Sequence, residues 1–377
     1  MLSVSAMAFV IYFVSRNAGN PYDQYVRLAD AVLHGRLHLL NPPSYLELAH
    51  IHGKWFVIDP PAPILFLLPL VAILGTGTNH VLVSCGVGAL AIGFLWVSAS
   101  RLWPNRSNAV AITLLVAVGT DFWWIASDGG FWSFAHVSAV FFLMAGMAEA
   151  TGRKRPWLVG SCVGLAGLSR LPTFLLFPLY AYLTLEDEPS FTRQNVLRLV
   201  AFGSTLGAAA ISYLGYNWIR YGTPRDLGYW NPKYMSEPWF AQGRFNIRYV
   251  SRHIHAILFE WPARVQHFPY VVPKFVGTAL ILVTPMFLYA LRAKLGGREV
   301  AALIALGLVS VPLLTHGAVG FSQFGYRFSL DMLPPLLILT ASGMRGRVSK
   351  LAVAVLVYCV VVNLWGVLAF NKFNWPV

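Results

Sequence analysis

RNAGNPYDQYVRLADAVLHGRLHLLNPPSYLELAHIHGKWFVIDPPA, residues 16 to 62, is a charged stretch set between apolar runs. The uncharged segment Met1 to Val14 precedes it, and PILFLLPLVAILG follows at 63 to 75. Hydrophobic residues make up 57% of the 377, charged residues only 11%, and the mean hydropathy is +0.60. Soluble domains average about 25% charged residues. The chain therefore reads as a polytopic, all-α membrane protein, and 16 to 61 as its first loop between membrane segments. An Asp-containing loop in such a position is where chemistry is expected, and the functional reading turns on Asp23.

Length says little about domain count here, because apolar runs of about 20 residues set the architecture of such a chain. We read one integral domain over 1 to 377. The formal charge of +13 would suggest nucleic acid in a soluble protein. Here many Lys and Arg residues sit in short loops beside apolar runs, which is topological information and argues against a nucleic-acid partner. Cys85, Cys162 and Cys359 lie inside apolar stretches without paired-ligand spacing, as buried, inert thiols do. Met1 to Val14 lacks a basic leader and a small-residue cleavage site, so it is expected to be a first span and not a signal peptide.

The apolar runs cover roughly 2 to 15, 62 to 75, 80 to 98, 108 to 120, 131 to 149, 156 to 169, 171 to 185, 196 to 217, 269 to 291, 299 to 315, 330 to 343 and 350 to 370, predicting about 11 to 12 membrane segments. Basic clusters at Arg101 and Arg106, Arg153 to Arg155, Arg193, Arg292 to Arg298 and Arg345 to Lys350 mark the cytoplasmic side. The loops 16 to 61, 121 to 130, 218 to 268 and 316 to 329 then share the outer side, with 218 to 268 a long outward loop. The run at 62 to 75 must begin and end outside, and with Pro60, Pro61, Pro63 and Pro69 in or beside it, it is either re-entrant or misplaced in this parity. Tyr25, Leu28, Ala29, Val32 and Leu39, interleaved with Arg27, Asp30, His34 and Arg36, predict an amphipathic helix on the membrane surface. Gly160 and Gly164 predict close helix packing.

Of the acids, Glu149, Glu186, Asp187, Glu188 and Glu299 fall on the cytoplasmic side. Asp23, Asp30, Glu47, Asp59, Asp121, Asp128, Asp226, Glu237, Glu260 and Asp331 face outward. Acids held near a membrane boundary are costly and tend to serve function. Asp23, just ahead of the amphipathic segment, has two readings: helix N-cap or reactive carboxylate. Asp59 before Pro60 and Pro61 has the same two, and Asp121 and Asp128 bracket GTDFWWIASDGGFW as turn formers or as catalytic acids. Gln323, Tyr326, Arg327 and Asp331 cluster in GFSQFGYRFSLDMLPP, where Arg327 either pairs with Asp331 four residues on or binds phosphate. Arg244, Arg248 and Arg252 recur every four residues as one basic helical face. His50, His52, His253, His255 and His267 lack a metal-site pattern, and His136 reads as a packed polar group. No metal or other cofactor is expected, and a divalent ion is the less favoured alternative.

The stretches YDQYVRLADAVLHGRLHL, GKWFVIDPPAPILFLLPL, GTDFWWIASDGGFW, GLSRLPTFLLFPL, YNWIRYGTPRDLGY and QFGYRFSLDMLP, between residue 17 and about 340, together resemble polytopic GT-C glycosyltransferases. The resemblance is to bacterial relatives of dolichyl-phosphate-mannose protein mannosyltransferases and of the lipid A aminoarabinose transferase. It implies a transferase of the cell membrane that takes a polyprenyl-phosphate sugar as donor at an outward-facing site. It further implies that a first-loop Asp deprotonates the acceptor hydroxyl of a lipid, glycan or protein. Asp23 matches that position by its distance from the first span, and Asp121 or Asp128 corresponds to a second acid. A lipid-phosphate leaving group needs cations, for which Lys54, Arg248, Arg252 and Arg327 are the outward candidates, with Asp59, Tyr326 and Asp331 as further pocket residues. Trp55, Trp123 and Trp124 would stack on the sugar or anchor at the interface. The first loop departs from that of many relatives in lacking paired acids, and a large C-terminal soluble domain of the kind some relatives carry is not expected. An O-antigen-type ligase or polymerase, or a secondary transporter, are the rival readings; a transporter would more often show two related halves with acids at mid-span.

Overall fold

The computed structural model describes residues 1–377 apart from 104, 186–191 and 232–234, so the acids Glu186, Asp187 and Glu188 lie outside the described residues. The molecule is 67% helical. Where the apolar runs are long and uninterrupted they form helices close to the expected bounds. These are α1 (Leu2–Ser15), α4 (His80–Leu102), α5 (Arg106–Val118), α7 (Phe131–Ala150), α8 (Pro156–Gly167), α10 (Arg193–Tyr221), α12 (Gly297–Thr315) and α14 (Lys350–Leu368). Side-chain caps fix several starts: Asn79 accepts from Leu82 N ahead of α4, and Ser349 from Ala352 N ahead of α14. Shorter helices are α2 (Gln24–Leu33), α3 (Ile64–Leu74), α6 (Phe122–Asp128), α9 (Phe177–Leu185), α11 (Val250–Leu258) and α13 (Leu333–Gly343).

Among the described residues five helices are long and apolar enough to cross a membrane, or six if α5 and α6, bent by 46°, form one broken span. The expected 11 to 12 segments thus include several that fall short of the length a span needs. The run at 269 to 291 is not a single helix. Pro269, Pro273, Gly277 and Pro285 interrupt it, leaving short strands and turns, a single helical turn at Leu280–Val283 and a 3-10 segment at Pro285–Arg292. The stretch 121 to 130, expected as an outer loop, is largely the buried helix α6, because its aromatic residues pack inward. Two antiparallel hairpins, β1 (Leu48–Ile51) with β2 (Lys54–Val57) and β3 (Ala263–Arg264) with β4 (Val271–Val272), qualify the all-α expectation.

The close packing expected at Gly160 and Gly164 is present. A Cβ at Gly160 would strike the Phe202 carbonyl, and one at Gly164 would strike Ala209, so α8 lies directly on α10. α2 forms as expected and buries Tyr25, Leu28 and Ala29, but it stops at Leu33, and Leu39 pairs instead with Trp55. α3 is flanked by Ala62, whose N donates to Leu168 O, and by His80, which lies with Tyr22, Asp23 and Phe131 around one small cleft. Both flanks belong to the same end of the bundle, so α3 does not pass from one end to the other. That end also gathers the termini of α1, α5, α8, α10 and α12 and the start of α7 and α13, and it carries the buried polar groups described next.

Candidate active site

Asp331, 1% exposed, sits in the 3-10 turn Arg327–Met332 that leads into α13. Its expected partner Arg327 does not bind it. Arg170, at the break between α8 and the 3-10 segment Leu171–Leu176, donates from Nη2 to Oδ2 at 2.8 Å and from Nε to both oxygens at 3.3 Å. His136 on α7 places Nδ1 3.2 Å from Oδ1, without hydrogen-bond geometry. A carboxylate buried this deeply requires such pairing.

Around this pair two further arginines gather. Arg327 lies in charge range of Glu47, Asp121 and Asp59, and Arg244 in range of Asp226, Glu47 and Asp59. The Nε atoms of both are buried without a hydrogen-bond partner. Arg244 stacks on Tyr229 at 4.7 Å and Phe240 at 4.9 Å, while Phe328 lies between Arg170 at 5.4 Å and Arg327 at 6.0 Å. Asp59, 4% exposed, follows β2; its Oδ2 is buried without a partner. Burial pushes its carboxyl up to about 6, with Arg170, Arg327 and Arg244 opposing that rise. Burial also raises Glu47 to about 7, with Asp59 adding to the rise.

A cavity of about 410 Å³ opens beside these groups, walled mostly by apolar residues such as Leu171, Phe174, Trp230, Leu313 and Phe328. Arg170, Arg244, His316 and Asp226 are its charged or titratable lining. Asp226 accepts from the Tyr213 hydroxyl and Tyr229 N and Arg170 is paired with Asp331, so among the described residues Arg244 is the lining cation that forms no ion pair. Apolar walls with a few convergent polar groups are what a small-molecule site requires.

The expected site residues divide into two groups. Asp59, Asp331, Arg327 and Asp121 come together, Asp121 accepting from Gly325 N at 3.3 Å with its other oxygen unpartnered. Tyr326 is close by, but its hydroxyl bonds His253 Nδ1 at 2.7 Å. Asp23, by contrast, precedes α2 without a side-chain cap, and Arg27 Nε donates to it at 2.7 Å. Asp128 accepts from Asn20, Gly130 N and Ser133 Oγ at the start of α7. Lys54 and Arg248 are exposed, and Arg252 donates to the Gly317 and Trp239 carbonyls. The basic face expected from Arg244, Arg248 and Arg252 does not exist, because helix begins only after Arg244 and leaves that residue alone in the interior. Trp123 and Trp124 are core residues of α6, and Trp55 is exposed against His50. Among the described residues no group of three His, Cys, Asp or Glu is arranged to hold a metal.

Sequence reasoning gave Arg170 no role, although it lies in the quoted stretch GLSRLPTFLLFPL, and it read His136 as packing. An Arg directly after an apolar run and ahead of Leu171-Pro172 was the available signal. Its partner lies 161 residues away, which no local pattern reveals.

The architecture is the GT-C fold of membrane glycosyltransferases. ArnT from Cupriavidus metallidurans bound to undecaprenyl phosphate superimposes with a TM-score of 0.55 at 15% identity, over 94% of this chain and 61% of that one. The same protein in the apo state gives 0.52 at 15% identity, over 94% and 60%. This chain thus spans about 61% of the length of that transferase. The oligosaccharyltransferase of Archaeoglobus fulgidus in the apo form gives 0.47 at 15% identity, over 98% and 54%. No protein-family model matches the sequence, and no curated protein sequence matches it.

Proposed function

We propose that this protein is a multi-pass cell-membrane glycosyltransferase that moves a sugar from a polyprenyl-phosphate carrier to an extracytoplasmic hydroxyl acceptor on a lipid, glycan or protein. One observation carries the reading: a buried carboxylate with an unpartnered oxygen, Asp59, shares its surroundings with Arg170, Arg244 and Arg327, and the first two of these line an apolar cavity. The GT-C fold shared with an undecaprenyl-phosphate-bound transferase supports it, as does the positive-inside distribution that puts this end of the bundle outside.

In this reading the acceptor hydroxyl oxygen attacks the anomeric carbon, and its proton passes to the Asp59 carboxylate. The bond from that carbon to the phosphate oxygen breaks, and the lipid phosphate leaves with the electron pair. Guanidiniums in a site of low polarity stabilise the charge that develops on it, a contribution that general-base help of about 10² to 10⁴ supplements. Asp59 is favoured over Asp23 as base because Arg27 donates to Asp23 from one helical turn on. The arginines supply the positive charge in this reading, and no metal is assigned.

Purified protein in detergent, given a polyprenyl phosphate carrying a labelled sugar and a soluble acceptor, should transfer label to the acceptor and leave free lipid phosphate. Tight donor binding without any bond cleavage, together with label movement across proteoliposomes, would instead identify a transporter.

A further inference from the structure

We infer that Asp331, with His136 behind it, is a positioning residue that locks the Arg170 guanidinium on the cavity wall and leaves one edge of it for a lipid phosphate. The inference rests on the reading of the cavity as a lipid-phosphate site. The hydrogen bonds carry it. Asp331 takes the Nε and Nη2 edge of the fork, at 2.8 to 3.3 Å. The guanidinium is nonetheless part of the cavity lining, with 12% of the side chain exposed, so Nη1 is the nitrogen left for an incoming anion.

The rest of the surroundings immobilise the same side chain. The Arg170 backbone is extended where α8 ends, its N bonded to Ala166 O at 2.8 Å, and the Phe328 ring lies beneath the guanidinium. His136 reaches the far oxygen of Asp331 from α7. Three elements, α7, the end of α8 and the turn before α13, therefore converge on one guanidinium. Among the described residues Arg244 and Arg327 have no such clamp, and their Nε atoms have no partner. An ion pair serving only to hold helices together would gain nothing from placing its cation on a cavity wall, and buried pairs of that kind are often replaceable by apolar side chains without loss of stability. A clamped guanidinium binds an anion with less ordering still to be done, so its contribution to affinity depends on the clamp.

The test is a double-mutant cycle on binding of undecaprenyl phosphate to the full chain in detergent micelles, with melting temperature recorded in parallel. Arg170→Gln should weaken binding about tenfold or more, the scale of one lost charge-assisted hydrogen bond. Asp331→Asn should weaken it comparably, and the double variant should bind no worse than Arg170→Gln alone, because the two act as one unit. Wild-type affinity in Asp331→Asn, or losses that multiply in the double variant, overturns the inference while leaving the lipid-phosphate reading in place. A wild-type protein that does not bind the lipid overturns both. If Asp331→Asn does not fold, Asp331→Glu carries the test. It keeps the charge but moves the carboxylate by one methylene, so it should weaken binding in the wild-type background and have no effect beside Arg170→Gln. Equal weakening in both backgrounds overturns the inference.

Discussion

Asp23 and Asp59 stand at opposite ends of the same loop and meet opposite environments. Asp23 keeps 19% of its side chain exposed and is neutralised by Arg27, one helical turn on. Asp59 is buried to 4% exposure and has only distant cations, from the end of α8, the long loop and the turn before α13. Burial among remote partners leaves Asp59 short of a hydrogen bond and with an affinity for protons near that of a general base. Both acids read alike as cap or catalyst in the linear sequence; the surroundings separate them.

The sharpest way to break this contrast is to neutralise each acid in turn. Asp59→Asn should reduce sugar transfer at least about 100-fold, and Asp23→Asn less than about threefold, since an amide oxygen can still accept from Arg27 Nε. Initial rates with a labelled polyprenyl-phosphate sugar measure both. The reverse order would return the base role to Asp23.

The arginines offer the next contrast. Arg244→Lys keeps the charge but removes the fork, and should weaken undecaprenyl phosphate binding about tenfold. Arg248→Lys, at an exposed position four residues on, should leave binding within about twofold. Similar losses at the two positions would mean that the long loop binds lipid as a general basic surface.

Proton affinity sharpens the comparison further. The Asp59 carboxyl is raised from 3.8 to about 6, so the folded state holds its proton more tightly than the unfolded chain does. Its contribution to stability is complete below about pH 4 and is lost as pH rises toward 6. Asp59→Asn should therefore be more stable than wild type at pH 8, by roughly 3 kcal/mol at most, with the advantage gone at pH 4. Thermal melts across that range report it, and transfer by wild type should decline as pH falls through about 6. For Asp23, disrupting the pair by Arg27→Gln should cost no more than about 1 kcal/mol, the usual limit for a partly exposed ion pair. A larger loss of melting temperature would show that the α2 start is more tightly coupled to the bundle than its exposure indicates.

Much of the architecture was legible in the linear chain. Uncharged runs such as those that became α4, α7 and α14 can satisfy their backbone only as helices in a lipid environment, whatever their neighbours. Gly160 and Gly164 announced close packing of α8, because only a missing side chain permits that approach; which helix it meets, α10, came from the structure. The run at 269 to 291 was misleading, since hydropathy alone does not register what Pro273 and Pro285 do to helical hydrogen bonding. The site was half legible. Asp59, Asp121, Arg327 and Asp331 were singled out by their place at the ends of apolar runs, whereas Arg170 was given no part and Arg244 was assigned to a helical face that does not form.

By itself, the sequence determined the apolar class of the chain, most of its long helices and the end of the bundle at which charges collect, because hydropathy and helix period are local properties of a chain. Only the tertiary structure decided that Asp331 belongs to Arg170 and not to Arg327, that Arg244 is interior while Arg248 is not, and that Asp59 lacks a partner. Coulomb energy and desolvation depend on which groups are adjacent in space and how much water remains between them, and those quantities exist only once segments more than a hundred residues apart have packed together.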